Sequence, residues 1–289
     1  VKAPPSPPSE DESYLRVLNP QVIPNLGHLR HALFDFDGTL SVLREGWESV
    51  MIPLMIACIR GPGSVSPQLS AEIEQEVRAY VDRSTGILTI QQMGWLAEAV
   101  RRYGLVADPC TAREYKAQYV EQLMQRVSAR RADLRLGRMA PEQGMLAGAR
   151  SFLEALTSRG THLYLASGTD HPYVVDEASA LGLAGYFDNR IYGALDDSEA
   201  NDKEQVIRRI LDQANLAGTD LLVVGDGPVE IRVAHAAGAI ALGVASDEVR
   251  RSGWNAHKVR RLEAANADLL VPDFSQARRL AAFLFAEGR

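Results

Sequence analysis

Cysteine is nearly absent: Cys58 and Cys110 are the only two in 289 residues. They lie far apart in no ligand-like spacing, which argues against a disulfide framework and fits a reducing compartment. No apolar run approaches the roughly 20 residues needed to span a bilayer, so a membrane is not expected as a partner. Positive charge is in deficit as well, with 31 Lys and Arg against 37 Asp and Glu and a formal net charge of −6. That balance gives no electrostatic reason to expect nucleic acid or an anionic surface. Internal repeats are absent. The opening stretch, VKAPPSPPSEDE, lacks the apolar core of a secretory signal, and a cytoplasmic location is expected. Its prolines, serines and acids predict a disordered lead-in over residues 1–20.

What is present is a set of short apolar runs separated by helical patterns. LRHALF at 29–34, THLYLA at 161–166, DLLVV at 220–224, AIALGV at 239–244 and ADLLV at 267–271 read as buried strands. Met145, Ala149, Phe152, Leu153 and Leu156 form a helical stripe before the second run, and Ile207, Ile210 and Leu211 form one before the third. Strands alternating with helices predict an α/β fold with a doubly wound, mainly parallel sheet. Ligands in such sheets sit beyond the carboxyl ends of the strands.

Between residues 41 and 144 no strand-like alternation occurs. Leu69, Ile73, Val77 and Tyr80 share a helical face, as do Met93, Ala97 and Val100, and Tyr115, Tyr119, Leu123 and Val127. Thr89 with Gln92 reads as a capping box. The block predicts an inserted α-helical cap domain, leaving 21–40 and 145–289 as the core. Within it, Trp47 and Trp95 read as packing residues and Cys58 as core. The polar, glycine-bearing link Arg83–Ile87 is expected to face the site, with Thr85 and Gly86 as candidate specificity residues.

The polar motifs fall at the ends of these strands. Asp35-Phe36-Asp37-Gly38-Thr39 closes the first run, and residues two apart on a strand face the same way. Two crowded carboxylates are costly unless a cation or shared proton relieves them, and a hard divalent cation suits an all-oxygen set. Ser167-Gly168-Thr169 follows the second run as an anion-binding corner. Lys203 stands at a helix start, where it opposes the macrodipole unless an anion needs it. Asp226 ends the third run, and Pro228 starts a helix carrying Glu230 on its first turn. Each motif alone also reads as an ordinary turn, cap or surface residue; their order along the strands is what brings them to one crevice.

Together LFDFDGT, YLASGT, NDKEQ and VVGDGPVE resemble the four motifs of the haloacid dehalogenase-like superfamily, across residues 29–272. The single helical insertion resembles its phosphoglycolate-phosphatase and β-phosphoglucomutase branch. The resemblance implies a Mg²⁺-dependent phosphatase acting on a small phosphorylated metabolite, a sugar phosphate or phospho-acid. Asp35 would be the nucleophile forming an aspartyl-phosphate, and Asp37 the acid/base. Ser167, Gly168 and Lys203 would bind phosphate, with Gly38 and Thr39 beside them. Asp35, Asp37, Asp226 and Glu230 would hold the metal. Glu230 departs from the more common Asp, and the proline that often follows the lysine in the sugar-phosphate mutase branch is missing. A phosphomutase uses the same two aspartates, and a non-catalytic sugar-phosphate-binding protein is a further alternative.

Overall fold

Burial on both faces decides the arrangement of the strands. The computed structural model describes residues 14–195 and 202–287. Its strands are β1 (Arg16–Val17), β2 (His31–Phe34), β3 (His162–Asp170), β4 (Ile191–Ala194), β5 (Leu221–Gly225), β6 (Ile240–Val244) and β7 (Leu269–Val271). They form one sheet ordered β1-β7-β6-β5-β2-β3-β4. All neighbouring pairs are parallel except β1, which runs antiparallel to β7. Every residue of β2, β5, β6 and β7 is buried, which is why these strands read as continuous apolar runs rather than alternating ones.

The period-two alternation of the strands sorts their side chains into two cores. Ala32 and Phe34 pack with Phe152 and Leu156 of α5 (Ala149–Thr157), Val174 of α6 (His171–Ala180) and Leu280 of α11 (Ala277–Leu284). Leu33 between them faces the other way. It packs with Ile210 of α8 (Lys203–Ala214), Ile231 of α9 (Pro228–Ala236) and Leu262 of α10 (Ala256–Ala264). The short α7 (Ala184–Phe187) adds Phe187 to the first core. The chain is an α/β protein with helices on both faces of its sheet.

Four further helices, α1 (Glu48–Arg60), α2 (Pro67–Arg83), α3 (Thr89–Tyr103) and α4 (Ala112–Arg135), bury a third core of their own, including Met55, Ile73, Val77, Met93, Leu96 and Leu123. Tyr80 and Trp95 stack there with ring centroids 3.9 Å apart. The chain leaves and rejoins the sheet side by side: Ser41 bridges Met145, Val42 N–H donates to Gly144 and Leu146 N–H to Leu40. We propose the division of core and cap at residues 40 and 145 on this pairing. No helix among the described residues is long and apolar enough to cross a membrane.

Three expectations need correction. Residues 1–13 lie outside the described residues, but Arg16–Val17 pairs with Leu269 and Leu270, and Asn19 accepts from Gln21 N–H to start a 3-10 turn at Pro20–Asn25. Residues 14–20 are therefore part of the fold; the sheet edge supplies hydrogen bonds that composition cannot reveal. The strand β4 has no place in the sequence reading, being only four residues long with a glycine inside. Thr89 does not cap α3. Leu88 holds that position, its N–H bonded by the Gln91 side chain, while Thr89 Oγ1 donates to Gly168 O and Gln92 is buried against Ser84.

Candidate active site

Asp35 and Asp37 stand just past β2, the strand flanked by β3 and β5, so the carboxyl ends of three strands surround them. The turn that follows is tight. Gly38 has φ +78°, and a Cβ there would sit 2.5 Å from Asp226 Oδ2. Its N–H donates to Ser41 O, and that of Thr39 to Phe36 O. Thr39 Oγ1 donates to Asp35 Oδ2 at 3.2 Å. The Gly38 and Thr39 N–H groups and the Thr39 hydroxyl have partners in the loop and on Asp35, so both residues shape the nucleophile turn.

Asp35 is buried, and Lys203 Nζ, at the first turn of α8, donates to its Oδ1 at 2.6 Å. The same ammonium contacts Glu230 Oε1. Burial, with the nearby Glu230 and Asp226 charges, pushes the Asp35 carboxyl well above the usual carboxylate range although Lys203 opposes it. For Lys203 burial acts downward, but the two facing carboxylates outweigh it and hold the ammonium above the ordinary lysine value. Asp226, at the end of β5, is held by a different lysine. Lys258 Nζ donates to Asp226 Oδ2 and to Glu248 Oε1, both at 2.7 Å. Glu230 Oε2 is buried with no hydrogen-bond partner.

Asp37 belongs to a separate cluster. Ser167 Oγ and Thr169 Oγ1 donate to its Oδ2 at 3.3 and 3.0 Å, while its Oδ1 is buried without a hydrogen bond. Arg44 Nε stands 3.7 Å from that oxygen, but its close partner is Glu177, which it holds at 3.1 and 2.8 Å. Desolvation raises the Asp37 carboxyl to about 6 against the lowering effect of Arg44. Ser167 and Gly168 lie within β3 rather than after it, where its register with β4 shifts between Ala166 and Asp170.

A cavity joins these groups to the cap. Its lining includes Asp35, Asp37, Ser167, Gly168 and Asp226 from the core, and Trp47, Thr85, Gly86, Ile87 and Tyr119 from the cap. Trp47, read from the sequence as a packing residue, packs on the cap core and also faces this cavity. The link at 83–87 is clamped onto the core: Arg261 Nη1 donates to Thr85 Oγ1 at 3.1 Å and its Nη2 to the Asp226 carbonyl at 2.9 Å. Gly86 has φ +100°, and a Cβ there would meet Glu230 Oε1 at 2.3 Å. Gly86→Ala is thus expected to strain the closed arrangement, lowering kcat/KM for esters with a sizeable leaving group about tenfold through KM. Steady-state kinetics on a large and a small ester check this; equal effects on both would remove Gly86 from leaving-group selection.

Lys258, Glu248, Arg261, Arg44 and Glu177 escaped the sequence reading. For Lys258 a signal existed, because it too stands in the first turn of its helix, the feature that singled out Lys203. Arg44 and Glu177 meet only through the fold.

The model of one family, haloacid dehalogenase-like hydrolase, matches residues 29–238. The chain belongs to the haloacid dehalogenase-like hydrolases. A 5'-nucleotidase of Pseudomonas aeruginosa is 31% identical over 114 residues, which is 38% of this chain and 51% of that protein. The hydrolase thus aligns with about half the length of that curated relative. Among solved structures, a β-phosphoglucomutase from Clostridium difficile shares 14% identity with a TM-score of 0.56, covering 90% of this chain and 98% of that one. A predicted phosphatase from Clostridium acetobutylicum shares 18% with a TM-score of 0.53, covering 87% and 97%. At such identities the likeness is one of fold.

The donor set of this hydrolase fits a hard divalent cation. Asp35, Asp226 and Glu230 are buried carboxylates and Glu248 a half-buried one; Lys203 and Lys258 are the ammonium groups in direct contact with them, and the Arg261 guanidinium stands 3.8 Å from Asp226 Oδ2. The carboxylates outnumber the lysines, one buried oxygen of Glu230 lacks a partner, and the donors are all oxygen. Among the described residues no group of three or more His, Cys, Asp and Glu side chains forms a metal cage. The oxygen donors present match in type the one or two carboxylates through which Mg²⁺ is usually bound.

Proposed function

We propose that this hydrolase is a Mg²⁺-dependent phosphatase that cleaves a small phosphomonoester through an aspartyl-phosphate on Asp35. The observation that carries this reading is the separation of the two aspartates into different environments at one cavity. Asp35 faces an ammonium that can follow negative charge onto a phosphoryl group; Asp37 is held by hydroxyls and a guanidinium on the leaving-group side. The match to the Pseudomonas nucleotidase supports a phosphoester substrate.

In this reading Asp35 attacks phosphorus and the ester P–O bond breaks. Asp37 gives its proton to the departing alcohol, then takes one from the water that attacks phosphorus and regenerates Asp35, releasing inorganic phosphate. Ser167 Oγ and the Gly168 N–H hold phosphoryl oxygens, and Lys203 balances their charge. Asp35, the Asp37 carbonyl and Asp226 would hold Mg²⁺, with Glu230 supporting it. When bound, the ion supplies charge neutralisation at the phosphoryl group and orients the nucleophile.

Hydrolysis of 4-nitrophenyl phosphate with and without Mg²⁺ tests the proposal. Turnover is expected to fall at least about a hundredfold after verified metal removal, the scale of one strong electrostatic contributor, and to return when Mg²⁺ is restored. Undiminished turnover in chelator would count against the metal; no turnover in either condition would count against the phosphatase.

A further inference from the structure

Away from the carboxylates the cavity is lined from the cap by the start of α1, the 83–87 link, α3 and α4, and from the core by α6; in the phosphatase reading this is where the leaving group sits. Its apolar wall is Trp47, Ile87, Tyr119, Val120, Leu123 and Tyr173, and Thr85, Thr89 and Gln92 add neutral polar groups. Arginine and lysine occur here, but each is already matched. Arg44 is bound by both oxygens of Glu177, at 2.8 and 3.1 Å, and faces Asp37. Arg131 pairs with Asp176 and stands 3.7 Å from Glu177. Lys116 Nζ is 2.5 Å from Asp170, the one further acid on the lining. Lys203 serves Asp35 and Glu230. Residues 196–201 lie outside the described residues, and their sequence, DDSEAN, adds no cation.

We infer that the leaving group is an uncharged alcohol bearing a flat apolar ring, the class of nucleosides and aryl alcohols, and that esters with a second anionic group are rejected. This deepens the phosphatase reading and rests on it. The physical reason is charge accounting in a closed space. A second phosphate or carboxylate would stand near Asp37 and Asp170, while the cations named here, Arg44, Arg131, Lys116 and Lys203, each already face a carboxylate. At an effective dielectric of about 20 and a separation of about 5 Å, that repulsion corresponds to roughly a hundredfold in binding. An aromatic ring instead finds the indole of Trp47 and the aliphatic side chains of α4, gaining stacking and apolar burial. The inference also bears on the mutase alternative. A mutase that moves a phosphoryl group between two positions of one sugar passes through a bisphosphate, whose second phosphate needs a cation in this part of the cavity.

Matched ester pairs test it on the intact protein. Expected is a kcat/KM about a hundredfold higher for benzyl phosphate than for 4-carboxybenzyl phosphate, and for adenosine 5'-monophosphate than for adenosine 3',5'-bisphosphate. Benzyl phosphate should also exceed ethyl phosphate about tenfold, and Trp47→Ala should narrow that second ratio. Glu177→Gln releases Arg44 and should shrink the penalty on the charged member of each pair, a change in selectivity that loss of folded protein cannot produce. Equal or better turnover of the charged members by the unaltered protein would overturn the inference and leave the phosphatase standing. Failure to hydrolyse any of these esters, 4-nitrophenyl phosphate included, would overturn both.

Discussion

Asp35→Asn is expected to bring turnover below detection and to leave no covalent phosphoryl adduct, whereas Asp37→Asn should trap one. An amide is a poor nucleophile, and asparagine at position 35 would also give up the carboxylate that Lys203 holds at 2.6 Å. Asp37→Asn keeps that nucleophile and the backbone carbonyl of residue 37. It removes only the carboxyl that Ser167 and Thr169 position. General acid/base groups contribute about 10²–10⁴-fold, and the loss falls on both protonation of the alcohol and activation of water. With a good leaving group the first step needs little protonation, so the second lags and the aspartyl-phosphate accumulates. Rapid quenching and intact-mass measurement would show one added phosphoryl group in Asp37→Asn, and peptide mapping would place it on Asp35. An adduct on serine or histidine, or an active Asp35→Asn protein, would overturn the mechanism.

Lys203→Met should have two large effects, because the side chain has two partners. Its amine is the group placed to balance phosphoryl charge, and losing such a contributor costs on the order of a hundredfold or more in turnover. Its removal also leaves Asp35 and Glu230 buried and facing each other without their shared cation. Breaking one side of a buried ionic cluster costs about 3–5 kcal/mol. In the metal-free protein this should appear as a clear drop in Tm relative to the unaltered chain. Added Mg²⁺ should raise the Tm of the variant more than that of the parent, since the ion restores the missing charge. A variant with parental Tm and near-normal turnover would reduce Lys203 to an ordinary helix residue.

The chemistry-bearing residues were legible where local pattern and fold agree. Asp35, Asp37 and Asp226 follow short apolar runs closed by glycine turns, a pattern that reads as buried strands, so their places at strand ends follow from the sequence. Lys203 was legible because its position at a helix start conflicts with the macrodipole. What could not be read were partnerships made by packing. Nothing near Asp226 in sequence points to Lys258, which reaches it from α10. Arg44 and Glu177 lie in different parts of the chain and meet only when α6 docks beside the nucleophile loop. Gly38 and Thr39 carry a further role that the motif does not show: their donors bind the loop and Asp35 and so hold the nucleophile turn. Motif identity reports which residues recur, not which atoms remain free.

The place of β2 in the sheet has a consequence for how the chain is made. This strand is the first of the parallel set to be synthesised, and it ends up between β3 and β5. Its Phe34 is paired in register with Leu165 on one side and Val224 on the other. At the usual synthesis rate of about 5–20 residues per second, a strand destined to be buried on both faces waits on the order of tens of seconds for its second neighbour. The helices α1–α4 intervene, and they carry a complete core of local contacts that can form early. Their folding draws the two ends of the insertion together at Ser41 and Met145. This shortens the effective loop between β2 and β3 and lowers the entropy that their pairing must overcome. The insertion that covers the finished site is thus also placed to act as a folding clamp for the strand that carries its nucleophile.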